Sequence, residues 1–391
     1  MTARRLQQIA PFRVVELLER AKVLEAAGNR VVHLEVGEPD FPTAGPIVDA
    51  AHRALDAGAT KYTQALGIPE LRRRIADHYA SAAGLTIAPE RVVVTSGASA
   101  GLLLLAALLL DPGDELLLTD PGYPCNEVFA WLVNGVPVAV PVAAEDGFLL
   151  TRAHAESAWT PATRGLLVAS PANPTGAVLD RDALAGLAAL ARERDAFLIL
   201  DEIYQGLTFD ECAPGYRSGL VVDDGIYVLN SFSKYFGMTG WRLGWMVLPE
   251  AAVEPVARLA QNLFISPPSL SQHAALAAFD DESIAIHEQR RAVFARRCLR
   301  LCDGLESLGF HIPVRPRGAF YVYADIVHTG MDAVDFCWRL LEEHHVAATP
   351  GIDFGAHNAG RFVRFAFTTG EEEIVLGLSR IAQALRAWGI S

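Results

Sequence analysis

Short apolar runs alternate with helical patterns through the middle of the chain. The runs are four or five residues long and lie at residues 91–94, 115–118, 165–168, 196–200 and 226–229. Continuous apolar runs of this length are typical of strands that are buried on both faces of a sheet. Because helical patterns separate most of the runs, we predict a mainly parallel sheet flanked by helices, that is, an α/β fold.

A polar or glycine-containing segment follows each of these predicted strands. The five segments are residues 95–99, 119–124, 169–176, 201–204 and 230–234. Ligands of open α/β sheets bind outside the carboxyl ends of the strands. The pattern therefore predicts that the five segments converge on one crevice.

The pattern of hydrophobic positions differs at the two ends of the chain. Before the predicted sheet it indicates helices at residues 1–30, 45–58 and 68–83, with a short strand that begins at residue 31. After the sheet it indicates a long helical stretch at residues 269–309, broken near Asp280. Two short strands follow at residues 320–323 and 362–367, and two helices at residues 332–344 and 371–388. We predict a large domain at residues 45–285 and a smaller α+β domain at residues 286–391, on which residues 1–44 pack.

Charge and apolar run length restrict the classes of partner. The chain of 391 residues has a formal net charge of −13 and no block of basic residues, so neither nucleic acid nor an anionic membrane is an expected partner. The longest apolar run, residues 102–110, is too short to span a bilayer and is predicted to be a buried helix.

The cysteines indicate neither a disulfide framework nor a metal site. They are odd in number, scattered, and without a zinc-binding spacing, at Cys125, Cys212, Cys298, Cys302 and Cys337. The N-terminal segment also lacks the apolar region of a signal peptide. We therefore expect reduced thiols, no metal and a cytoplasmic protein.

Lys234 stands out because lysine is rare in this chain. Of 33 basic residues only Lys22, Lys61 and Lys234 are lysines. A desolvated lysine can form a Schiff base with a carbonyl group, whereas arginine cannot lose its proton near neutral pH. Ser231 and Arg242 flank Lys234 and are of the types that hold a phosphate. Composition alone leaves open that Lys234 is a solvated loop lysine.

Two of the other strand ends carry candidate ligand-binding groups. Residues 95–99, Thr-Ser-Gly-Ala-Ser, lie between a strand and a helix, where they either cap the helix or hold an anion. Asp201 ends a buried strand, where its carboxylate needs a cationic or hydrogen-bonding partner unless it caps the next helix.

A third candidate, Arg364, lies within an apolar strand and faces away from Val363 and Phe365. A guanidinium in that position suits a planar carboxylate, which it can bind through two hydrogen bonds.

Six ordered motifs together resemble the class I/II aminotransferases, the fold-type-I family of pyridoxal-phosphate enzymes that includes aspartate aminotransferase. The most specific is Ser231-x-Ser233-Lys234 followed by Gly-Met-Thr-Gly-Trp-Arg242-Leu-Gly, which resembles the family's cofactor-lysine segment. The resemblance extends from about residue 35 to residue 364. It implies a fold-type-I transferase that exchanges amino groups between an amino acid and a 2-oxo acid.

The resemblance also assigns cofactor-binding residues. Lys234 would carry pyridoxal 5′-phosphate as a Schiff base and act as the catalytic proton carrier, with Asp201 on the pyridine nitrogen. The remaining groups would hold the ring oxygen, the ring face and the phosphate: Tyr204, Asn173, Tyr123, Ala98 through its backbone, Ser99, Ser231, Ser233 and Arg242. Judged alone, Tyr123 and Asn173 are equally consistent with packing and turn formation.

The same resemblance assigns the substrate contacts and a partner. Arg364, the backbone of Gly37 and Asn173 would hold the substrate carboxylate. Tyr62 would reach the cofactor phosphate of a neighbouring subunit, which implies a homodimer. Judged alone, Tyr62 is equally consistent with an ordinary loop aromatic.

The expected amino donor is neutral or aromatic. Family members that use aspartate place a cation near its distal carboxylate, from residues equivalent to 259–289 or in place of Ser99. Residues 259–289 contain no Arg or Lys. Phe12 and Ile9 are expected to cover the site, although Arg13 or Arg4 could supply the missing charge.

Two other functions remain open from the sequence. The first is a carbon–sulfur lyase or decarboxylase that uses the same cofactor and fold, since fold does not fix the reaction. The second, more remote, is a cofactor-binding regulator without turnover.

Overall fold

The computed structural model describes residues 2–209 and 218–390. Cys212 therefore lies outside the described residues. The helices are α1 (Arg13–Ala26), α2 (Gly45–Asp56), α3 (Pro69–Ala83), α4 (Ala98–Leu109), α5 (Cys125–Leu132), α6 (Arg152–Ala158), α7 (Arg181–Glu193), α8 (Glu250–Leu263), α9 (Ser269–Ala275), α10 (Asp281–Ser307), α11 (Ala333–His344) and α12 (Glu371–Ala387). No helix in these residues is long and apolar enough to cross a membrane.

Most strands belong to one large sheet, and the others form two small sheets. The strands are β1 (Val32–His33), β2 (Val92–Thr95), β3 (Glu115–Asp120), β4 (Val136–Pro141), β5 (Thr163–Ala169), β6 (Phe197–Asp201), β7 (Tyr227–Ser231), β8 (Gly244–Val247), β9 (Tyr321–Asp325), β10 (Val346–Ala347), β11 (Thr349–Pro350) and β12 (Phe362–Ala366).

The large sheet has the strand order β2-β8-β7-β6-β5-β3-β4. Only β8 runs antiparallel to its neighbours β2 and β7, and the other pairs are parallel. Alternate residues of one strand enter different apolar clusters: Val92 and Val94 of β2 pack on one face, and Val93 packs on the other. The α/β prediction is therefore confirmed, and the five apolar runs are all strands of this sheet.

Two strands of the large sheet were not predicted. β4 lies at the edge, includes Pro137 and Pro141, and has mostly half-buried or exposed residues, so its sequence lacks the continuous apolar run of a central strand. β8 has only four residues and begins at Gly244, two residues after Arg242.

The small sheets are built from the last quarter of the chain and from β1. Strands β11, β12 and β9 form an antiparallel sheet, and β1 pairs with β10 in parallel. The predicted strands at 320–323 and 362–367 are confirmed as β9 and β12. A third apolar cluster joins this region to α1, α10, α11 and α12.

The helix predicted at residues 1–30 is too long. The α-helix begins only at Arg13, and the preceding residues contain a short 3-10 helix at Arg4–Gln7. Pro11 explains the late start, because proline disfavours helical backbone in the residue before it. At the other end, Gly28 takes a positive φ of 92°.

The predicted break near Asp280 is confirmed, since α10 begins at Asp281 after a 3-10 helix at Leu276–Phe279. Helix α10 then runs without interruption across the predicted domain boundary after residue 285. The division into residues 45–285 and 286–391 with 1–44 stays a prediction.

Candidate active site

The polar segments at the carboxyl ends of the sheet strands line one cavity of about 460 Å³. The segments after β2, β3, β5, β6 and β7 all contribute, as the alternation of strands and helices predicts. The lining includes all but one of the residues assigned to the cofactor or the substrate carboxylate, namely Gly37, Ala98, Ser99, Tyr123, Asn173, Asp201, Tyr204, Ser231, Ser233, Lys234, Arg242 and Arg364. The exception is Tyr62, whose side chain is 80% exposed.

Lys234 follows β7 and points into the cavity. Its Nζ donates a hydrogen bond to the backbone oxygen of Gly37 at 2.7 Å. The aromatic rings of Phe320 and Tyr204 lie with their centroids 5.5 and 5.8 Å from Nζ. Burial lowers the pKa of Lys234 to about 8, so its amine is readily available in the neutral, nucleophilic form.

Asp201 ends β6 and is almost fully buried. The backbone N–H of Ile203 donates to its Oδ1 at 3.1 Å. Burial raises the pKa of Asp201 to about 7, because this bond and the more distant Lys234 charge offset only part of the cost of a buried carboxylate. A cationic partner in the cavity would stabilise the carboxylate form.

The turn between β2 and α4 forms an anion-binding corner with the residues around β7. Gly97 takes a φ of 82°, and α4 begins at the next residue, so the free N–H groups of its first turn face the corner. Ser231 and Ser233 are joined through their Oγ atoms at 2.9 Å. Arg242 Nη1 donates to the backbone oxygen of Thr239 at 2.8 Å.

The guanidinium of Arg242 passes directly over the turn. A Cβ atom added at Gly97 would lie 2.6 Å from Arg242 Nη2. Hydroxyl groups, a helix N-terminus and a guanidinium together make a suitable set of donors for a phosphate.

Arg364 lies in the middle of β12, is buried, and also lines the cavity. Its Nη1 donates to Asn173 Oδ1 at 3.0 Å, and its Nη2 donates to the backbone oxygen of Glu35 at 2.6 Å. The rings of Tyr321 and Phe354 lie 4.2 and 4.7 Å from its guanidinium carbon. Its Nε is buried and has no hydrogen-bond partner among the described residues. A carboxylate in the cavity would therefore meet a guanidinium with unused donor capacity.

Arg361, three residues before Arg364, is by contrast a surface residue. Its side chain is 47% exposed and forms an ion pair with Asp325. It is not among the residues that line the cavity.

Several lining residues were not predicted from the sequence. Tyr321 has its hydroxyl 2.9 Å from that of Tyr204, and its ring covers Arg364. Its one signal in the sequence was an aromatic position in a predicted strand, which is more typical of core packing. Asp353 and Phe354 gave no signal.

The first turns of α1 form the apolar part of the lining. Phe12, Val14, Val15 and Leu18 contact the cavity, as expected for Phe12, whereas Ile9 does not. The two alternative cations are also not in the lining, and Arg13 forms an exposed ion pair with Glu16 at 3.4 Å.

The donor set fits a phosphorylated pyridine aldehyde. Lys234 offers an amine to the aldehyde, buried Asp201 offers a carboxylate to a ring nitrogen, and the corner at Gly97 and Arg242 offers donors to a phosphate. The unused Nε of Arg364 then remains for the carboxylate of a second molecule.

Comparisons with known proteins agree with this chemistry. A family model described as "Aminotransferase class I and II" matches residues 29–381. The chain is 38% identical over 377 residues to a valine–pyruvate aminotransferase of Mycobacterium tuberculosis, covering 96% of this chain and 97% of the relative. It is 37% identical over 385 residues to an aspartate/prephenate aminotransferase of Thermus thermophilus, covering 98% of each. A solved aminotransferase structure from Mycobacterium tuberculosis superposes with a TM-score of 0.95 at 37% identity, over 99% of both chains.

Proposed function

We propose that this chain, which belongs to the class I and II aminotransferases, takes amino groups from neutral or aromatic amino acids rather than from aspartate. Transamination and the cofactor, pyridoxal 5′-phosphate, follow from family membership. The observation that supports the donor class is the charge of the cavity. Among the described residues its lining holds three Lys or Arg side chains, Lys234, Arg242 and Arg364, and the chemistry below uses all three.

Pyridoxal phosphate supplies an aldehyde carbon and an electron-accepting pyridine ring. In our proposal Lys234 binds the aldehyde and Asp201 pairs with the ring nitrogen, which keeps the ring protonated. The positive ring nitrogen would offset the cost of burial, which raises the pKa of Asp201. Tyr204 and Asn173, which line the same cavity, would donate to the ring oxygen, and Tyr123 would cover the ring face.

The phosphate is assigned to the corner between β2 and β7. Arg242, Ser231, Ser233 and Ser99 hold it through their side chains, and Ala98 holds it through its backbone N–H at the start of α4. The dipole of α4 favours the negative charge at this end. This contact would fix the phosphate end of the cofactor beside the start of α4.

The substrate is held by its α-carboxylate. Arg364, which lies in the small sheet, binds this carboxylate. Its Nη1 also donates to Asn173 Oδ1 at 3.0 Å, and this bond fixes the orientation of the guanidinium. The backbone of Gly37 also lines the cavity, and its oxygen accepts a hydrogen bond from Lys234. Carboxylate and amino group are then both fixed, which orients the Cα–H bond toward Lys234.

Lys234 carries the proton in the chemical step. With its amine free, Nζ would take the proton from the substrate Cα and hold it for return during amino-group transfer. The lowered pKa of Lys234, about 8, suits a group that must both accept and return a proton near neutral pH. Asp201 stabilises the charge that develops on the ring.

The side chain of the amino donor would contact the apolar residues at the start of α1, Phe12, Val15 and Leu18. Since the lysine and both arginines are engaged, no cation of the described lining remains for a distal carboxylate. Burying an unpaired carboxylate against Phe12 and Leu18 would be costly, whereas a hydrocarbon side chain gains by burial there. This difference in burial energy underlies the proposed preference.

The test is a panel of twenty amino acids with 2-oxoglutarate as acceptor. We expect kcat/KM to be highest for neutral or aromatic donors, by about 10-fold or more over aspartate. Aspartate as the best donor would contradict the proposed donor class. Release of ammonia and pyruvate without any acceptor would instead favour the lyase alternative.

We also propose that the protein acts as a homodimer in which Tyr62 completes the neighbouring site. In the single chain Tyr62 is 80% exposed, and Leu263 and Ile265 are more than half exposed. The loop that carries Tyr62 is tied to α9, because Ser269 Oγ donates to the backbone oxygen of Lys61 at 2.6 Å. Large exposed apolar side chains on an anchored surface are typical of subunit interfaces.

A further inference from the structure

Helix α1 is capped by a carboxylate from the opposite end of the chain. Its N-cap residue, Phe12, has no side chain that can accept a hydrogen bond. Instead, Asp353 accepts from the backbone N–H of Arg13 at 2.9 Å and from that of Val14 at 2.8 Å, one through each carboxylate oxygen. Asp353 is 8% exposed. Two of the free N–H groups of the first turn are therefore satisfied by one buried side chain.

The capped turn is the apolar wall of the active-site cavity. Phe12, Val15 and Leu18 line the cavity, while Leu17, Ala21 and Leu24 of the same helix are buried in the third apolar cluster. The later turns of α1 are thus fixed by packing, whereas its first turn is fixed by Asp353. The position of the wall relative to Lys234 and Arg364 depends on that cap.

The segment that carries Asp353 also contacts Arg364 and the loop after β3. Phe354 lies 4.7 Å from the guanidinium carbon of Arg364. The backbone oxygen of Phe354 accepts from the N–H of Gly122 at 2.7 Å, next to Tyr123. One short segment therefore contacts the start of α1, the guanidinium of Arg364 and the loop after β3, and so connects the three.

We propose that Asp353 is a positioning residue for donor selection, holding Phe12, Val15 and Leu18 against the side chain of the amino donor. The inference rests on the proposed function, in which Arg364 and Lys234 fix the carboxylate and Cα and leave the side chain to this wall. A large apolar donor gains binding energy from a fixed wall. Alanine, with one methyl group, gains little from it.

The experiment compares Asp353→Ala with the wild-type enzyme on two donors, alanine and the most reactive large apolar donor of the panel. The ratio of kcat/KM for the large donor to that for alanine falls about tenfold, mainly through a higher KM for the large donor. Asp353→Asn gives an intermediate ratio, because its amide oxygen still accepts one of the two N–H groups.

Asp180→Ala is the matched control. Asp180 caps α7 by accepting from the N–H of Ala183 at 2.7 Å, and it is not part of the cavity lining. Both variants lose a helix cap and so lower the melting temperature. The Asp180 variant keeps the wild-type donor ratio. If Asp353→Ala also keeps it, the residue is only structural and the inference is overturned.

Phe12→Ala gives a second, independent route. It removes part of the wall without removing the cap, so the donor ratio falls as it does in Asp353→Ala. In the double variant the two effects are less than multiplicative, because both act on one contact. Fully multiplicative effects overturn the inference. A wild-type enzyme that transaminates neither donor contradicts the proposed function itself, so the two failures are distinguishable.

Discussion

At the scale of single residues, the reactive state of Lys234 is set by its surroundings. Its amine is buried and also lies near the positive charges of Arg364 and Arg242, all of which disfavour the ammonium form, while Glu38 and Asp201 oppose them. The resulting pKa of about 8 lies well below the usual value for lysine. A group of this kind can react with an aldehyde near neutral pH.

The pKa of Lys234 predicts how fast the cofactor-free protein takes up pyridoxal phosphate. The neutral amine is the nucleophile, so the rate rises with pH and levels off above about pH 8. The measurement is the absorbance change after mixing, from about pH 6 to about pH 10, with Lys234→Ala to subtract reaction at other amines. A rate that keeps rising to pH 10 would show an ordinary lysine.

Arg364→Lys is predicted to weaken substrate binding. A lysine keeps the charge but loses the planar fork that binds a carboxylate through two bonds. We expect KM for the amino donor to rise about 10- to 100-fold with a smaller change in kcat. The matched control is Arg361→Lys just before the same strand, since the Arg361 side chain is half exposed and pairs with Asp325. Equal effects of the two substitutions would contradict the role of Arg364.

The site residues that could be predicted from the sequence are those of a rare residue type or those that directly follow a strand. Lys234 is one of three lysines, and Asp201 directly follows an apolar run. Tyr321 and Asp353 were missed because their roles depend on contacts across 117 and about 340 residues of chain, with Tyr204 and with the start of α1. Pairings over such separations leave no local pattern.

At the scale of elements, the turn between β2 and α4 shows why a glycine is needed beside Arg242. Gly97 has a φ of 82°, and a Cβ atom added to it would lie only 2.6 Å from Arg242 Nη2. A side chain there strains the backbone and also displaces Arg242 from the corner assigned to the phosphate.

Gly97→Ala is therefore predicted to raise the dissociation constant for pyridoxal phosphate by about tenfold, through the displaced charge-assisted bonds. The control is Gly113→Ala. Gly113 has a φ of 91° but open space around its Cβ position, so it carries the backbone strain alone. Absorbance titration of both variants measures the difference. Similar cofactor affinities in the two would contradict the assignment of this corner.

Elements with a clear apolar run or helical period were predicted well. The five predicted strands of the large sheet and the break before α10 are confirmed. The edge strand β4 was missed because prolines and exposure remove its pattern, and α1 was predicted too long because periodicity was read past Pro11. Burial alone does not make a strand visible in the sequence, because β8 is buried at all four positions and was missed.

At the scale of the whole molecule, the site joins distant parts of the chain. Lys234 and Asp201 belong to the large sheet, Arg364 belongs to β12 of a small sheet, and the apolar wall belongs to α1. A single helix, α10, runs across the predicted boundary between the two regions. Substrate carboxylate and cofactor are therefore assigned to different sheets, whose relative position sets the geometry of the reaction.

The proposed dimer can be tested by mixing subunits. A mixed dimer of Lys234→Ala and Tyr62→Ala subunits contains one intact site if Tyr62 acts across the interface. Random assortment then gives about a quarter of wild-type activity, since half of the dimers are mixed and one of their two sites is intact. If Tyr62 acts within its own subunit, mixing yields only the average of the two parent variants.

The most direct test of the central claim is the half-reaction of the cofactor-loaded enzyme with each amino acid in turn. Loss of the absorbance of lysine-bound pyridoxal phosphate reports transfer of the amino group without any acceptor. The account predicts that neutral or aromatic amino acids bleach this absorbance faster than aspartate does, and that Lys234→Ala shows no such signal. An enzyme that reacts fastest with aspartate, or that keeps the signal without Lys234, would contradict it.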